Sequence, residues 1–314
     1  MRAAIGADLG GTKMAVGVVD EDRNVLHSST EATLGRDLDE LLDVLEGELR
    51  EALEACSEAE AIGLGIPCTI DRARGFAISA VNLPIENVPL RDIIGERLGM
   101  PTFMDNDANM AALAEHRFGA GRGLRNLVML TIGTGIGGGL VLEGELYRGS
   151  IGAGAELGHI VIDENGPKCQ GNCPNHGCVE ALASGTALAR AGRLAASTHP
   201  DSALGRALAA GETISGRTVT EAAIAGDGIA VETVAGIGRH LGVALASLAN
   251  IFDPDVITIG GGVAAAGDLL LEPARRELRS RALPPMNKTR VVIAELGPAA
   301  GMIGSATMAI EESA

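Results

Sequence analysis

Arg2-Ala3-Ala4-Ile5-Gly6-Ala7-Asp8-Leu9-Gly10-Gly11-Thr12-Lys13-Met14-Ala15-Val16-Gly17-Val18-Val19 is the stretch on which the fold turns. Two short apolar runs, Arg2–Ala7 and Met14–Val19, read as strands flanking a glycine-rich turn. Glycines let backbone N–H groups surround an anion, and Thr12 and Lys13 add a hydroxyl and a cation. The pattern is not a Walker A loop. That motif sets Gly-Lys-Ser/Thr at the start of a helix, and here Thr12 and Lys13 open a strand. Two readings stand side by side, a phosphate cradle with Asp8 at its edge or an ordinary hairpin turn.

Further along, the pattern restarts. Leu127–Ile132 reads as a strand, followed by Gly133-Thr134-Gly135-Ile136-Gly137-Gly138-Gly139 and a second strand, Leu140–Glu143. Gly133, Gly135 and Gly138 match G-x-G-x-x-G, but a dinucleotide fingerprint must open a helix, so a nicotinamide site is excluded. A second phosphate-holding hairpin remains, with Thr131 and Thr134 as hydroxyl donors. Gly260-Gly261-Gly262 follows a buried strand (256–259) and precedes a helix near 267–281. It suits either a nucleotide at a helix N-terminus or close helix–strand packing. Between these landmarks the spacing predicts helices at Asp37–Ala55, Leu90–Leu98 and Asn106–Phe118, then near 185–195, 203–211, 218–225, 229–251 and 301–312. No low-complexity linker separates the two halves. The expected organisation is two closely packed α/β domains, residues 1–109 joined by the closing helix 301–314, and residues 110–300.

Composition narrows the function. The chain has 314 residues, 25 basic against 41 acidic, for a net charge of −16. An acidic surface without a basic run repels phosphate backbones and anionic lipid. Four Phe, one Tyr and no Trp leave little for base stacking. Nucleic acid and membrane are therefore not expected partners. The opening residues carry Asp8 and a Gly pair where a signal peptide needs an apolar run, and Val243–Phe252 is too short to span a bilayer. A cytoplasmic enzyme acting on small molecules is the expectation.

Two clusters carry chemistry. Asp105-Asn106-Asp107-Ala108-Asn109 lies where a strand gives way to a helix. A carboxylate there can take a proton from a substrate hydroxyl, with Asn106 binding neighbouring hydroxyls; one of these residues also serves as the helix cap. Glu156-Leu157-Gly158-His159 precedes Cys169, Cys173, Cys178 and Glu180. One His and three Cys form a closed tetrahedral zinc set. His176, inside the cysteine loop, competes as a ligand. Glu156 and Glu180 flank the set. Cys56 and Cys68 read as plain buried residues.

Taken in order, these residues resemble the ROK family of sugar kinases, and most of all its bacterial glucokinases. The resemblance begins at Asp8-Leu9-Gly10-Gly11-Thr12-Lys13 and continues through Gly65-Ile66-Pro67, Val81-Asn82-Leu83-Pro84 and Asn87-Val88-Pro89-Leu90. It then runs through Asn106-Asp107-Ala108-Asn109, Gly133 to Gly139, Glu156 to His159, Gly177-Cys178-Val179-Glu180 and Gly260 to Gly262. It implies a two-domain actin/hexokinase-like (ribonuclease H-like) α/β fold with an inter-domain cleft. It implies an ATP-dependent hexose kinase, most closely a glucokinase, using ATP, Mg²⁺ and structural Zn²⁺, and a homodimer or homotetramer.

By resemblance Asp107 is the general base, and Gly65, Asn82, Asn106, Glu156, His159 and Glu180 hold the sugar. Asp8, Gly10, Gly11, Thr12, Lys13, Thr131, Gly133, Thr134, Gly135 and Gly260–Gly262 hold the nucleotide, and His159, Cys169, Cys173 and Cys178 hold the metal. The chain departs from the family pattern in three places. The usual first Cys position is Gly171, so Cys169 supplies the ligand from a longer loop. Cys68 replaces a common Gly and Ile85 a common Trp, both of which bear on substrate preference. Kinases of N-acetylmannosamine, N-acetylglucosamine or fructose are the alternatives, as is polyphosphate as donor. From another class come non-catalytic sugar-sensing relatives, the repressors that add an N-terminal helix-turn-helix domain; a phosphate loop at Asp8 leaves no room for one.

Overall fold

In the computed structural model, residues 2–80 and 82–314 are described; Met1, and Val81 of the Val81–Pro84 segment, lie outside the described residues. The opening stretch forms a hairpin of β1 (Ala3–Leu9) and β2 (Lys13–Asp20), extended by β3 (Val25–Ala32). Then α1 (Leu38–Ala55) is started by a reciprocal cap. Asp37 accepts the Glu40 N–H at 2.9 Å, and Glu40 accepts the Asp37 N–H at 3.1 Å. Its buried face is Leu41, Leu42, Leu45, Leu49 and Ala52. After β4 (Ala59–Ile66) come β5 (Cys68–Asp71), β6 (Phe76–Ala80) and β7 (Glu86–Val88), then α2 (Leu90–Leu98), β8 (Thr102–Asn106) and α3 (Asp107–Phe118).

The chain continues with β9 (Leu127–Ile132), β10 (Ile136–Leu142) and β11 (Glu145–Leu146). Next are α4 (Val179–Ala183), α5 (Gly185–Thr198), α6 (Ala203–Ala209), α7 (Gly216–Ile224) and α8 (Gly228–Phe252). It ends with β12 (Val256–Gly260), α9 (Asp268–Arg281), β13 (Arg290–Ile293) and α10 (Ala300–Glu312).

Two five-stranded sheets run in the orders β3-β2-β1-β4-β8 and β11-β10-β9-β12-β13. Each order follows one scheme, a meander on one side and parallel strands on the other, which accounts for the repeat in the sequence. In the first sheet β1 is antiparallel to β2 and parallel to β4, and β4 is parallel to β8. In the second, β9, β12 and β13 are parallel.

The chain divides into two compact units, residues 1–125 with 139–155 and 295–314, and residues 126–138 with 156–294. The first includes α3 and residues 139–155, where the motif reading drew a boundary at 109. Close packing explains why α3 stays with the first unit: a Cβ on Gly304 of α10 would stand 1.8 Å from the Met110 carbonyl oxygen of α3. The closing helix lies equally close to the first sheet, where a Cβ on Gly6 would sit 2.0 Å from the Met302 carbonyl oxygen.

Two expectations need revision, and one sheet was not expected. The second glycine loop is shorter than read. Ile136–Gly139 already belongs to β10, where a Cβ on Gly139 would lie 2.4 Å from Ala112 Cβ, so glycine is there for space. Gly260–Gly262 does not open an α-helix. Gly260 ends β12, a 3₁₀ turn covers Gly262–Ala266, and α9 starts at Asp268. Between Pro67 and α2, where the spacing predicts no element, Cys68–Asp71, Phe76–Ala80 and Glu86–Val88 form a third sheet in the order β5-β6-β7.

The helix α8 extends well beyond Val243–Phe252, and by length and composition alone it could span a membrane. In the second unit it is a core helix. Gly238 and Gly242 face the Leu270 and Ala274 carbonyls of α9, and Val234, Leu241, Leu245 and Leu248 are fully buried.

Candidate active site

The parallel strands of the first unit end in register. Asp8 pairs with Gly65 and Gly65 with Asp105, so three site positions align at the carboxyl ends of β1, β4 and β8. Carboxyl ends of parallel strands are where open α/β sheets bind ligands. The turn beside them is tight. Gly10 N–H donates to Lys13 O at 2.9 Å, Thr33 Oγ1 donates to Gly10 O at 2.6 Å, and Thr33 N–H donates to Thr12 O at 3.1 Å. Thr12 and Lys13 are exposed at its rim. Asn82, also exposed, lies against this turn; a Cβ on Gly11 would be 2.6 Å from Asn82 Cβ.

Asp107 is the first residue of α3, whose cap is Asn106. Asn106 Oδ1 accepts the N–H groups of Ala108 at 2.9 Å and Asn109 at 3.3 Å, which leaves its Nδ2 as the donor for a ligand. Two neighbours feel the charge of Asp107. Asp8 is raised to about 7, by burial first and by Asp107 second, with Lys13 opposing. Cys68 is pushed up to about 12 by burial and then by Asp107, which keeps it an unreactive thiol. Two carboxyl groups that feel each other's charge, one of them raised to about 7, thus lie by the glycine hairpin, and mutual repulsion of this kind costs stability rather than adding to it.

Sequence reasoning gave Asp105 no role of its own. It is fully buried and accepts from Asn106 N–H at 2.8 Å, Asn109 Nδ2 at 2.9 Å and Arg148 Nε at 2.5 Å; Arg72 Nε lies 3.5 Å away. Both arginines also reach Glu312 of α10. The only signal in the sequence was the second acid in the Asp105–Asp107 pair, because Arg148 lies 43 residues on.

In the second unit, the hairpin turn is Gly133–Gly135, with Gly133 N–H donating to Gly135 O at 3.0 Å. Its outer carbonyls are tied down: Gly185 N–H donates to Gly133 O at 2.8 Å and Thr186 Oγ1 to Thr134 O at 2.8 Å. Thr131 pairs with Gly260 across β9 and β12. Gly261, at φ +84°, presses on the Ile132 backbone, so it is held by packing. Glu180, on α4, accepts the Ile136 N–H at 2.8 Å with Oε2, and Cys169 Sγ lies 3.8 Å from its Oε1. One carboxylate thus joins the hairpin to the cysteine loop.

The ligand atoms of His159, Cys169, Cys173 and Cys178 lie within 4.8 Å of one another. Cys173 and Cys178 sulfurs are 3.9 Å apart and Cys169 Sγ is 3.5 Å from His159 Nδ1. Zn–S bonds of about 2.3 Å in a tetrahedron set sulfur–sulfur edges of about 3.8 Å, so the donor set fits zinc. Burial foremost raises both the Cys169 and Cys178 thiols; the neighbouring sulfurs add to the rise at Cys169, while at Cys178 a hydrogen bond with Cys169 opposes it, and a bound cation would reverse the rise at both. His176 lies outside this group; it is exposed, with Nδ1 3.4 Å from Gly166 O. His159 Nε2 faces Glu156 at 3.9 Å, and desolvation raises the Glu156 carboxyl.

Residues 4–312 match the sequence pattern of the ROK family. The chain belongs to the ROK family. Among ROK relatives, the glucokinase of Thermotoga maritima is 39% identical over 308 residues, covering 97% of this chain and 96% of that protein. The crystal structure of a ROK family glucokinase from Streptomyces griseus in complex with glucose and AMPPNP superposes with a TM-score of 0.88 at 36% identity, covering 98% of this chain and 99% of that one. The xylose repressor of Caldicellulosiruptor bescii is 29% identical over 285 residues, covering 89% of this chain but 70% of the repressor. The fold is thus the two-domain actin/hexokinase-like α/β fold of ROK glucokinases.

Proposed function

We propose that this protein is an ATP-dependent glucokinase, converting glucose and ATP to glucose 6-phosphate and ADP. The observation that carries this reading is a carboxylate at the β8–α3 junction, Asp107, electrostatically coupled to Asp8 at the end of the glycine hairpin. It sits in a chain similar over nearly its whole length to glucokinases. Asp107 takes the proton of the sugar 6-hydroxyl as that oxygen bonds the γ-phosphorus; the bond to the β–γ bridging oxygen breaks and ADP leaves. Phosphoryl transfer asks chiefly for positioning and charge neutralisation. The Gly10–Lys13 and Gly133–Gly135 turns, with Thr131 and Gly260–Gly262, hold the nucleotide. Mg²⁺ bound with ATP would supply neutralisation of its phosphate charge.

Gly65, Asn82, the Asn106 amide, Glu156, His159 and Glu180 hold the sugar. His159, Cys169, Cys173 and Cys178 hold a structural zinc. Were a zinc held through Nδ1, the ring nitrogen that faces Cys169 Sγ, His159 would keep its proton on Nε2 and donate from there. That would fix the tautomer and give Glu156 or a sugar hydroxyl a defined donor. The acidic charge and the small-molecule site suit a cytoplasmic enzyme with no nucleic-acid or membrane partner.

Asp107→Asn tests the base. Calorimetric glucose binding should stay within about threefold of wild type while kcat falls about 10²–10⁴-fold. Near wild-type turnover in that variant would sink the assignment.

A further inference from the structure

We propose that Asp105 is the positioning residue for Asp107, and that Arg148 makes it one; this rests on the glucokinase reading above. Asp105 is fully buried at the end of β8, two residues before the base. One of its oxygens accepts both the Asn106 N–H and the Asn109 side-chain amide; the other accepts from Arg148 and lies near Arg72. The carboxylate therefore grips the turn on both sides of Asp107, from residue 106 and from residue 109. Arg148 and Arg72 supply the charge that lets it be buried, and both are anchored in turn to Glu312.

Stability alone does not explain the arrangement. The start of α3 is already capped by Asn106. A buried ion pair seldom outperforms well-packed apolar side chains of similar size. Tying its amide to Asp105 also leaves the Asn109 Oδ1 buried with no hydrogen-bond partner among the described residues, which is unfavourable. A fold that carries a desolvated charge and an orphaned acceptor beside its catalytic turn is spending stability on geometry. What that geometry fixes is the direction in which the first residue of α3, Asp107, leaves the strand. A displacement of about 1 Å at a reacting group costs on the order of a hundredfold in rate.

The experiment uses the full-length enzyme and four variants: Asp105→Asn, Arg148→Met, Arg148→Lys, and the Asp105→Asn/Arg148→Met double variant. For each, kcat and the KM values for glucose and Mg-ATP are measured, with the denaturation midpoint followed by circular dichroism. Asp105→Asn should lose about a hundredfold in kcat with both KM values within about threefold. Arg148→Met should lose turnover in the same way, Arg148→Lys should recover part of it, and the double variant should be no slower than the worse single variant.

A folded Asp105→Asn or Arg148→Met enzyme that keeps its kcat and loses only midpoint overturns the proposal, as does a loss confined to KM or a double variant that multiplies the two defects. Should Asp105→Asn fail to fold, the two Arg148 variants decide, because that side chain is partly exposed. Wild-type turnover of glucose is the control: without it the glucokinase reading fails, and with it a fast variant counts against Asp105 alone.

Discussion

Replacing Asp8 with Asn should make the protein more stable at neutral and alkaline pH and less active. Asp8 has an ordinary value of 3.8, which the fold raises to about 7, chiefly through burial. Between those values the folded chain keeps a proton that the unfolded chain has lost. Each unit of pH in that window therefore removes about 1.4 kcal/mol of stability. The loss is absent below the unfolded value and complete above the folded one. Over the full shift it comes to about 4 kcal/mol, and water reaching the half-buried carboxylate trims this to roughly 2–4 kcal/mol.

Asn is nearly isosteric and does not titrate, so the stability difference between variant and wild type isolates this group. From about pH 5 to about pH 8 the variant should gain roughly 2–3 kcal/mol on wild type. The assay is urea denaturation at several pH values in both proteins. Circular dichroism is the suitable probe, because the chain has no Trp and one Tyr. A difference that stays flat across pH, or a wild type that gains on the variant as pH rises, would refute the reasoning. Turnover should fall in the same variant, since a carboxylate destabilised by its own fold is retained for what it binds.

Gly135→Ala should break the tie between hairpin and cysteine loop, because the new methyl would stand 2.2 Å from Glu180 Oε2; a loss of about 1–3 kcal/mol and a raised KM for ATP would bear this out in denaturation and kinetics. Gly304→Ala should cost about 2–3 kcal/mol without touching the site, since its methyl meets the Met110 backbone at 1.8 Å; a denaturation midpoint equal to wild type would contradict the packing described. Metal analysis should find one zinc per chain, lost in Cys173→Ser and kept in His176→Ala, with reloading after chelation becoming tighter as pH rises because the thiols must give up protons.

Much of the fold was legible because local signals agreed with one another. The runs either side of Gly10–Lys13 are apolar enough to be strands, and Leu38, Leu41, Leu42, Leu45, Leu49 and Leu53 recur at helical spacing through α1. Residues 68–88 were not legible: three short strands broken by Pro67, Pro84 and the Asp71–Gly75 turn carry too few residues for a period-2 pattern. Gly137–Gly139 misled for the opposite reason. Three glycines in a row signal a turn, whereas all three lie in β10 and Gly139 serves close packing, a property of the neighbouring α3 rather than of the strand. The order of motifs pointed to Asp107, Glu156 and the cysteines. It was silent on Arg72 and Arg148, whose importance depends on which distant carboxylate they meet.

The claim of a glucokinase is tested most directly by kcat/KM with Mg-ATP for glucose, mannose, fructose, N-acetylglucosamine and N-acetylmannosamine, with the product identified for each. The account predicts glucose as the best substrate by about tenfold or more, with glucose 6-phosphate as product. A higher kcat/KM for an N-acetylated sugar or fructose, or no sugar-dependent ADP release in a folded, zinc-loaded protein, would contradict it.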